Sequence, residues 1–509
     1  MEYQNPILTG FYPDPSICRV GQDYYMVTSS FEYLPGIPVF HSRDLINWRQ
    51  IGHCITRPEQ MDFPGCRPSG GIFAATIRYF QGRFYVTSTN VSAESGGKNF
   101  IVSAVDPAGE WSNPIWIDQT GIDPSLLFDD DGTVYYTSNG EHTDQNGIRR
   151  NIIQQSIISI ETGKILRGPE IISYGTGGRC AEGPHLYKKD GLYYLMIAEG
   201  GTELGHMETI FRSPDPFGPF EPFRDNPILT ARDENHPYLC AAGHADIVED
   251  TEGRFWMVFL CFRTVDAKFH HLGRETSIVP LSWEKGTWPQ VLGGKAPAQY
   301  IYCYPEREVV QEFPQDSFYD DFCTGRRLDW NTLRKHFDGY SIGKNGLLLY
   351  GNEFSLSDQE TPAFLGIRQR HMVFEAVCKM EFSPVLETEE AGLCLFYSMD
   401  AWYGLRITKK GKACVLSLFR HIHDMETESF CAELKEGSAV LAVRGDEEFY
   451  HFGLIRENEF QELAKADVRL LSTEVNRGFT GVYIGLYASG NGNHCQKPAV
   501  FQNFQYRAC

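Results

Sequence analysis

Ala181-Glu182-Gly183-Pro184-His185-Leu186, followed a few residues on by Gly191-Leu192-Tyr193-Tyr194, is the stretch from which the fold can be read. An acid stands before a short apolar run, a glycine turn follows, and then come two aromatics. The same layout occurs at Asp14-Pro15-Ser16-Ile17 with Gly21-Gln22-Asp23-Tyr24-Tyr25. It occurs again at Asp123-Pro124-Ser125-Leu126 with Gly132-Thr133-Val134-Tyr135-Tyr136. Two more copies centre on Gly82-Arg83-Phe84-Tyr85 and Gly253-Arg254-Phe255-Trp256. An apolar run, a Gly turn and an aromatic or β-branched run read as a β-hairpin. The five glycines fall 50 to 62 residues apart, which leaves room for about four short strands per unit. A single hairpin cannot bury both of its faces, and five similar units in series predict radial closure. The expected fold is all-β: a five-bladed β-propeller over residues 1–314. An irregular β-sandwich rich in hairpins is the alternative, and the five spaced repeats weigh against it.

From about residue 315 the repeat stops. Phe318-Tyr319-Asp320-Asp321-Phe322 opens a new segment. Strand-like runs follow at Gly346–Tyr350, His371–Val377, Gly392–Tyr397 and Gly481–Tyr487. Short strands with polar turns predict an antiparallel β-sandwich over 315–509. Tyr300 through Gln315, rich in aromatics at its start, is the expected bridge and should pack rather than dangle.

The bulk numbers agree with two domains. The chain has 509 residues, too many for one core. Its formal charge of −20 argues against nucleic acid or an anionic membrane as a partner. Aromatics at 13% suit a β-rich protein, and also one that stacks rings against sugars or bases. The first residues lack a signal-peptide pattern and no run is long enough to span a membrane. The 14 cysteines include no Cys-x-x-Cys pair. They are read as buried thiols in a reducing cytoplasm.

Aligning the five units places Asp14, Ala74, Asp123, Glu182 and His244 at equivalent points before the turn. Five-fold pseudo-symmetry would bring these points together at one end of the axis. Two carboxyl groups across a pocket are the machinery of glycoside hydrolysis, one protonated and one ionised. A third charge nearby keeps their pKa values apart. Gly183-Pro184 adds no competing charge, so Glu182 is the candidate acid. Prolines on both sides hold Asp14 rigidly, which suits a base. One Asp-Pro-Ser alone reads as a turn; two of them and a Glu, in register on a repeat, do not.

Tyr12-Pro13-Asp14-Pro15-Ser16-Ile17, Ser42-Arg43-Asp44-Leu45-Ile46-Asn47-Trp48, Ile122-Asp123-Pro124-Ser125-Leu126 with Asp129-Asp130-Asp131-Gly132, and Ala181-Glu182-Gly183-Pro184-His185 together resemble glycoside hydrolase family 43. The resemblance is to its β-xylosidase/α-L-arabinofuranosidase branch and extends through a concanavalin-like C-terminal domain. It implies hydrolysis with inversion, with Asp14 as general base, Glu182 as general acid and Asp123 tuning the acid. It implies Arg274 on sugar hydroxyls, Phe31 as a pocket wall and Phe479 lent to the rim by the sandwich. It places His244 on the channel axis, near a cation or a water in some members. No cofactor is required; a divalent cation such as calcium in the channel is left open, as is a homo-oligomer. Many relatives carry Trp-Ala-Pro where this chain has Phe73-Ala74-Ala75, so Phe73 offers a smaller stacking face. The expected substrate is a small oligosaccharide, cut in the cytoplasm to release xylose from the non-reducing end of β-1,4-xylooligosaccharides. An α-L-arabinofuranosidase is the alternative. A sugar-binding protein without turnover would need a missing acid, and none is missing.

Overall fold

A computed structural model describes residues 2–92, 97–235, 237–302, 316–435 and 437–509. Five antiparallel sheets follow one another along the first part of the chain. Each is built from four consecutive strands, except that the first takes in Gly36–Ser42 as its third strand and the fourth adds Leu229–Thr230. The innermost strands are Ser16–Val20, Thr76–Phe80, Ser125–Phe128, Glu182–Lys189 and Cys240–Glu249. Each lies beside the next, and the last lies beside the first, so the ring is closed. The five repeat glycines stand after these strands at φ between +62° and +85°, the left-handed turn conformation that glycine adopts without strain. Second strands such as Phe255–Phe262 are buried almost end to end, because neighbouring blades cover both faces.

A buried carboxylate joins the blades at the axis. Asp246, from blade five, is fully buried. It accepts from Arg78 of blade two at 2.7 and 3.1 Å, from the Ser16 hydroxyl of blade one at 2.6 Å, and from the Tyr187 hydroxyl of blade four at 2.7 Å. Burial opposes the charge on Asp246, but Arg78 outweighs it and holds the carboxyl well below its usual range. Burial keeps His185 neutral, pushed down to about 3, and its Nδ1 accepts from Arg78 at 2.9 Å.

The C-terminal part packs a six-stranded sheet on an eight-stranded one. Apolar residues of both inner faces, among them Leu365, Leu393, Phe452 and Phe501, form its core. The sequence runs singled out above lie on strands, but the six between Ala401 and Asp467 carried no clear signal. Met425–Leu434 lies at a sheet edge, is largely exposed and reads as polar, whereas Ala401–Lys410 is buried along most of its length.

The two parts are stitched together. Thr332–Leu333 pairs with Tyr33–Leu34 of blade one, and Tyr33 stacks on Tyr483 at 3.9 Å. Glu2–Gln4 pairs with Tyr300–Tyr302, so the start of the expected bridge is held in a two-stranded sheet. Its remainder, and with it the expected boundary at 314/315, lies outside the described residues. No disulfide forms among the described cysteines; Cys18, Cys54, Cys261 and others are buried, but Cys323 and Cys509 are exposed, contrary to a reading of every thiol as buried.

Arg78→Met would leave Asp246 buried with its strongest partner removed. Loss of one partner of a buried pair costs about 3–5 kcal/mol, so the variant should unfold at clearly lower temperature in a melting curve. An unchanged midpoint would place the closure of the ring elsewhere.

Candidate active site

Asp14 and Asp123 each precede an innermost strand with φ of 55° and 54°. Left-handed backbone is strained for most residues and tolerated by Asp. The equivalent corner of blade five is His244, φ 52°. In blade four it is Gly183, φ +55°, and Glu182 comes just before it. A side chain at 183 would also press on the His244 ring, whose atoms lie 3.2 Å from a Cβ built there. Blade two has no such corner at Ala74. One backbone irregularity, repeated around the ring, therefore turns the acids toward a common point.

They meet in a pocket of 90 Å³ lined by Asp14, Asp123, Glu182, His244, Arg274, Phe31, Phe73 and Phe479, with Ala74, Ile122 and Thr202. Every site residue expected from the sequence is in this list. Phe31 and Phe73 lie 5.0 Å apart between ring centroids, and Phe479 stands about equally far from both, at 6.0 and 6.1 Å. Phe479 belongs to the sandwich. It reaches the pocket because Gly273, beside Arg274, and Gly481 let two backbones approach closely. A Cβ at 481 would stand 2.3 Å from the Leu272 carbonyl oxygen.

Three residues that the sequence did not flag hold the acids. Ser29 donates to Asp14 at 2.5 Å. Thr202 accepts from Arg274 at 3.2 Å. The Asn139 side chain donates to the Ala181 carbonyl at 2.6 Å while its backbone N–H donates to the Ile122 carbonyl at 3.0 Å, tying the Asp123 and Glu182 corners together. Asn139 falls near the end of the apolar run after Gly132 and looks like a strand residue. Only the folded ring brings it between two acids.

The electrostatics separate the three carboxyls. Burial raises Asp14, but Arg274, with contacts of 2.9 and 3.4 Å, together with His244 and the Ser29 hydrogen bond, lowers it overall. For Glu182 the charges of Arg274 and Arg179 pull the same way but are outweighed. Burial raises it first, the charges of Asp123 and Asp14 raise it further, and it is pushed up to about 8. Asp123 is raised by burial and opposed by His244 and by the Gly183 N–H, which donates to it at 3.1 Å. Among the described residues no hydrogen bond reaches the Glu182 carboxyl. We therefore assign the proton shared by this pair to Glu182. His244 Nδ1 lies 3.8 Å from Asp14. Among the described residues no set of three His, Cys, Asp or Glu side chains converges as metal ligands, and the axis beneath is filled by the Arg78–Asp246 pair.

A five-bladed propeller that gathers one ionised and one protonated carboxyl in a small aromatic pocket has the make-up of a glycoside hydrolase. Comparison with known proteins gives the family. The pattern of Glycosyl hydrolases family 43 matches residues 3–289, and that of the Beta xylosidase C-terminal Concanavalin A-like domain matches 319–507. A non-reducing end α-L-arabinofuranosidase of Bacteroides ovatus is 39% identical over 99% of this chain and 94% of its own. A β-xylosidase of Bacillus subtilis is 33% identical over the full length of both chains. The solved xylan β-1,4-xylosidase of Bacillus halodurans superposes with a TM-score of 0.92 at 34% identity, over 99% of this chain and 100% of that one. The chain belongs to glycoside hydrolase family 43.

The pKa directions fix the shape of the pH profile. With Asp14 as base and Glu182 as acid, the roles that the family resemblance implies, the acid limb of kcat/KM should lie below the ordinary Asp value of 3.8 and activity should fall as pH rises through about 8. Glu182→Gln should abolish the alkaline limb and lower kcat by about 10²–10⁴, less on nitrophenyl glycosides, whose leaving group needs little protonation. Phe479→Ala should raise KM several-fold with a smaller change in kcat, read by steady-state kinetics, because it removes a wall and leaves the acids in place.

Proposed function

We propose that the chain is an exo-acting, inverting hydrolase that removes xylose from the non-reducing end of β-1,4-xylooligosaccharides. The observation that carries this reading is the placement of the acids in one small pocket: Asp14 is paired with Arg274, which favours its ionised form, and Glu182 stands without a hydrogen-bond partner among the described residues, next to Asp123 and Asp14, which favours its protonated form. Glu182 donates its proton to the glycosidic oxygen as the bond breaks. Asp14 takes a proton from a water on the opposite face of the sugar, and that water attacks the anomeric carbon. Asp123, bonded to the Gly183 N–H, keeps Glu182 in position and favours its protonated form. Arg274 holds Asp14 ionised and offers its guanidinium to the sugar's hydroxyls. The small volume, closed on one side by Phe479, suits one terminal pentose better than the interior of a polymer. No step needs a cofactor.

The 39% identity to an arabinofuranosidase favours a second reading, release of α-L-arabinofuranose. The two sugars present similar hydroxyls to the same acids. Proton NMR of 4-nitrophenyl β-D-xyloside hydrolysis, which releases a single xylose, together with rates on xylobiose and on an α-L-arabinofuranoside, separates the readings. Under the first, α-xylose appears before its β anomer, and xylobiose is cut faster than an α-L-arabinofuranoside. Early β-xylose would exclude inversion, and cleavage of the arabinofuranoside alone would establish the second reading.

A further inference from the structure

A second cavity, of 570 Å³, opens where blade one meets the sandwich. It shares no residue with the catalytic pocket. Its volume lies in the range of small-ligand sites. Four arginines line it, Arg49, Arg326, Arg327 and Arg370, against one acid, Asp329. This is unusual in a chain with 66 acids and 46 basic residues, where a cation should readily find a partner. Arg370 is nine-tenths buried and pairs with Asp329, yet its Nε has no hydrogen-bond partner. Arg327 donates to the Tyr319 carbonyl at 2.6 Å. Among the described residues neither Arg49 nor Arg326 makes an ion pair. Aromatic rings, with Trp48 among them, form the wall between the arginines.

Guanidinium groups bind carboxylates and phosphates through paired N–H donors. We propose that this cavity binds a small oxyanion, a carboxylate or a phosphate, carried on a sugar ring. The arginines hold the charge and the aromatic wall receives the ring. The cavity lies behind the catalytic base: Tyr12, which lines it, is two residues from Asp14, and its N–H donates to the Arg274 carbonyl at 3.0 Å.

Isothermal titration calorimetry on the full chain tests this, with glucuronic acid, glucose 6-phosphate, inorganic phosphate and neutral glucose as separate probes. At least one anion should bind below about 10 mM, more weakly as salt is raised, while glucose gives no heat. Arg49→Gln combined with Arg326→Gln should weaken that binding about tenfold or more and leave turnover without anion unchanged. Tighter binding of glucuronic acid or of glucose 6-phosphate than of inorganic phosphate supports the ring-bearing ligand and tells carboxylate from phosphate. Equal binding of inorganic phosphate, binding of glucose, no anion binding, or binding indifferent to the double substitution would each overturn the proposal.

Discussion

The Asp246 carboxylate, buried at the propeller axis, is the constraint on which the rest depends. Groups from blades one, two and four converge on this one residue of blade five. A buried charge is tolerated only when its partners are complete, so the blades that supply them are held in one relative position. The acids lie just above this hub: Asp14 is two residues before Ser16, and His244 is two before Asp246. What closes the ring therefore also sets the geometry of the pocket.

Above the hub the problem is reversed. Two buried carboxyls, Asp14 and Asp123, and the partly buried Glu182 share a small space with one guanidinium. Arg274 bonds to Asp14 and helps it ionise. Burial first, and then the charges of Asp123 and Asp14, make ionisation of Glu182 unfavourable. The division into acid and base thus follows from burial together with where the arginine points. The sandwich takes part in this chemistry. Its aromatic contact with blade one, Tyr483 on Tyr33, belongs to the same cluster as Phe31, Phe73 and Phe479. The pocket wall is the upper end of the interdomain core.

Much of this was legible in the sequence, because repetition is a long-range signal. Glycine turns before paired aromatics located the blades, and the acids stood at matching offsets from them. Arg274 and Phe479 became visible only through resemblance to the family, since nothing local to either distinguishes it from a structural residue. Ser29, Thr202 and Asn139 were not legible. Their roles depend on contacts between segments that only the closed ring brings together. Of the strands after Ala401 that the sequence reading passed over, Met425–Leu434 lies at a sheet edge in water, where little apolar alternation is needed, whereas Ala401–Lys410 is buried along most of its length.

The claim at the centre is that Glu182 carries a proton at neutral pH while Asp14, in the same pocket, does not. Carbon-13 NMR of side-chain carboxyls across a pH titration, with Glu182→Gln and Asp14→Asn used to assign the two signals, observes this directly. The account predicts a Glu182 carboxyl that titrates near about 8 and an Asp14 carboxyl that titrates below 3.8. A Glu182 signal titrating near its ordinary 4.5 would contradict it.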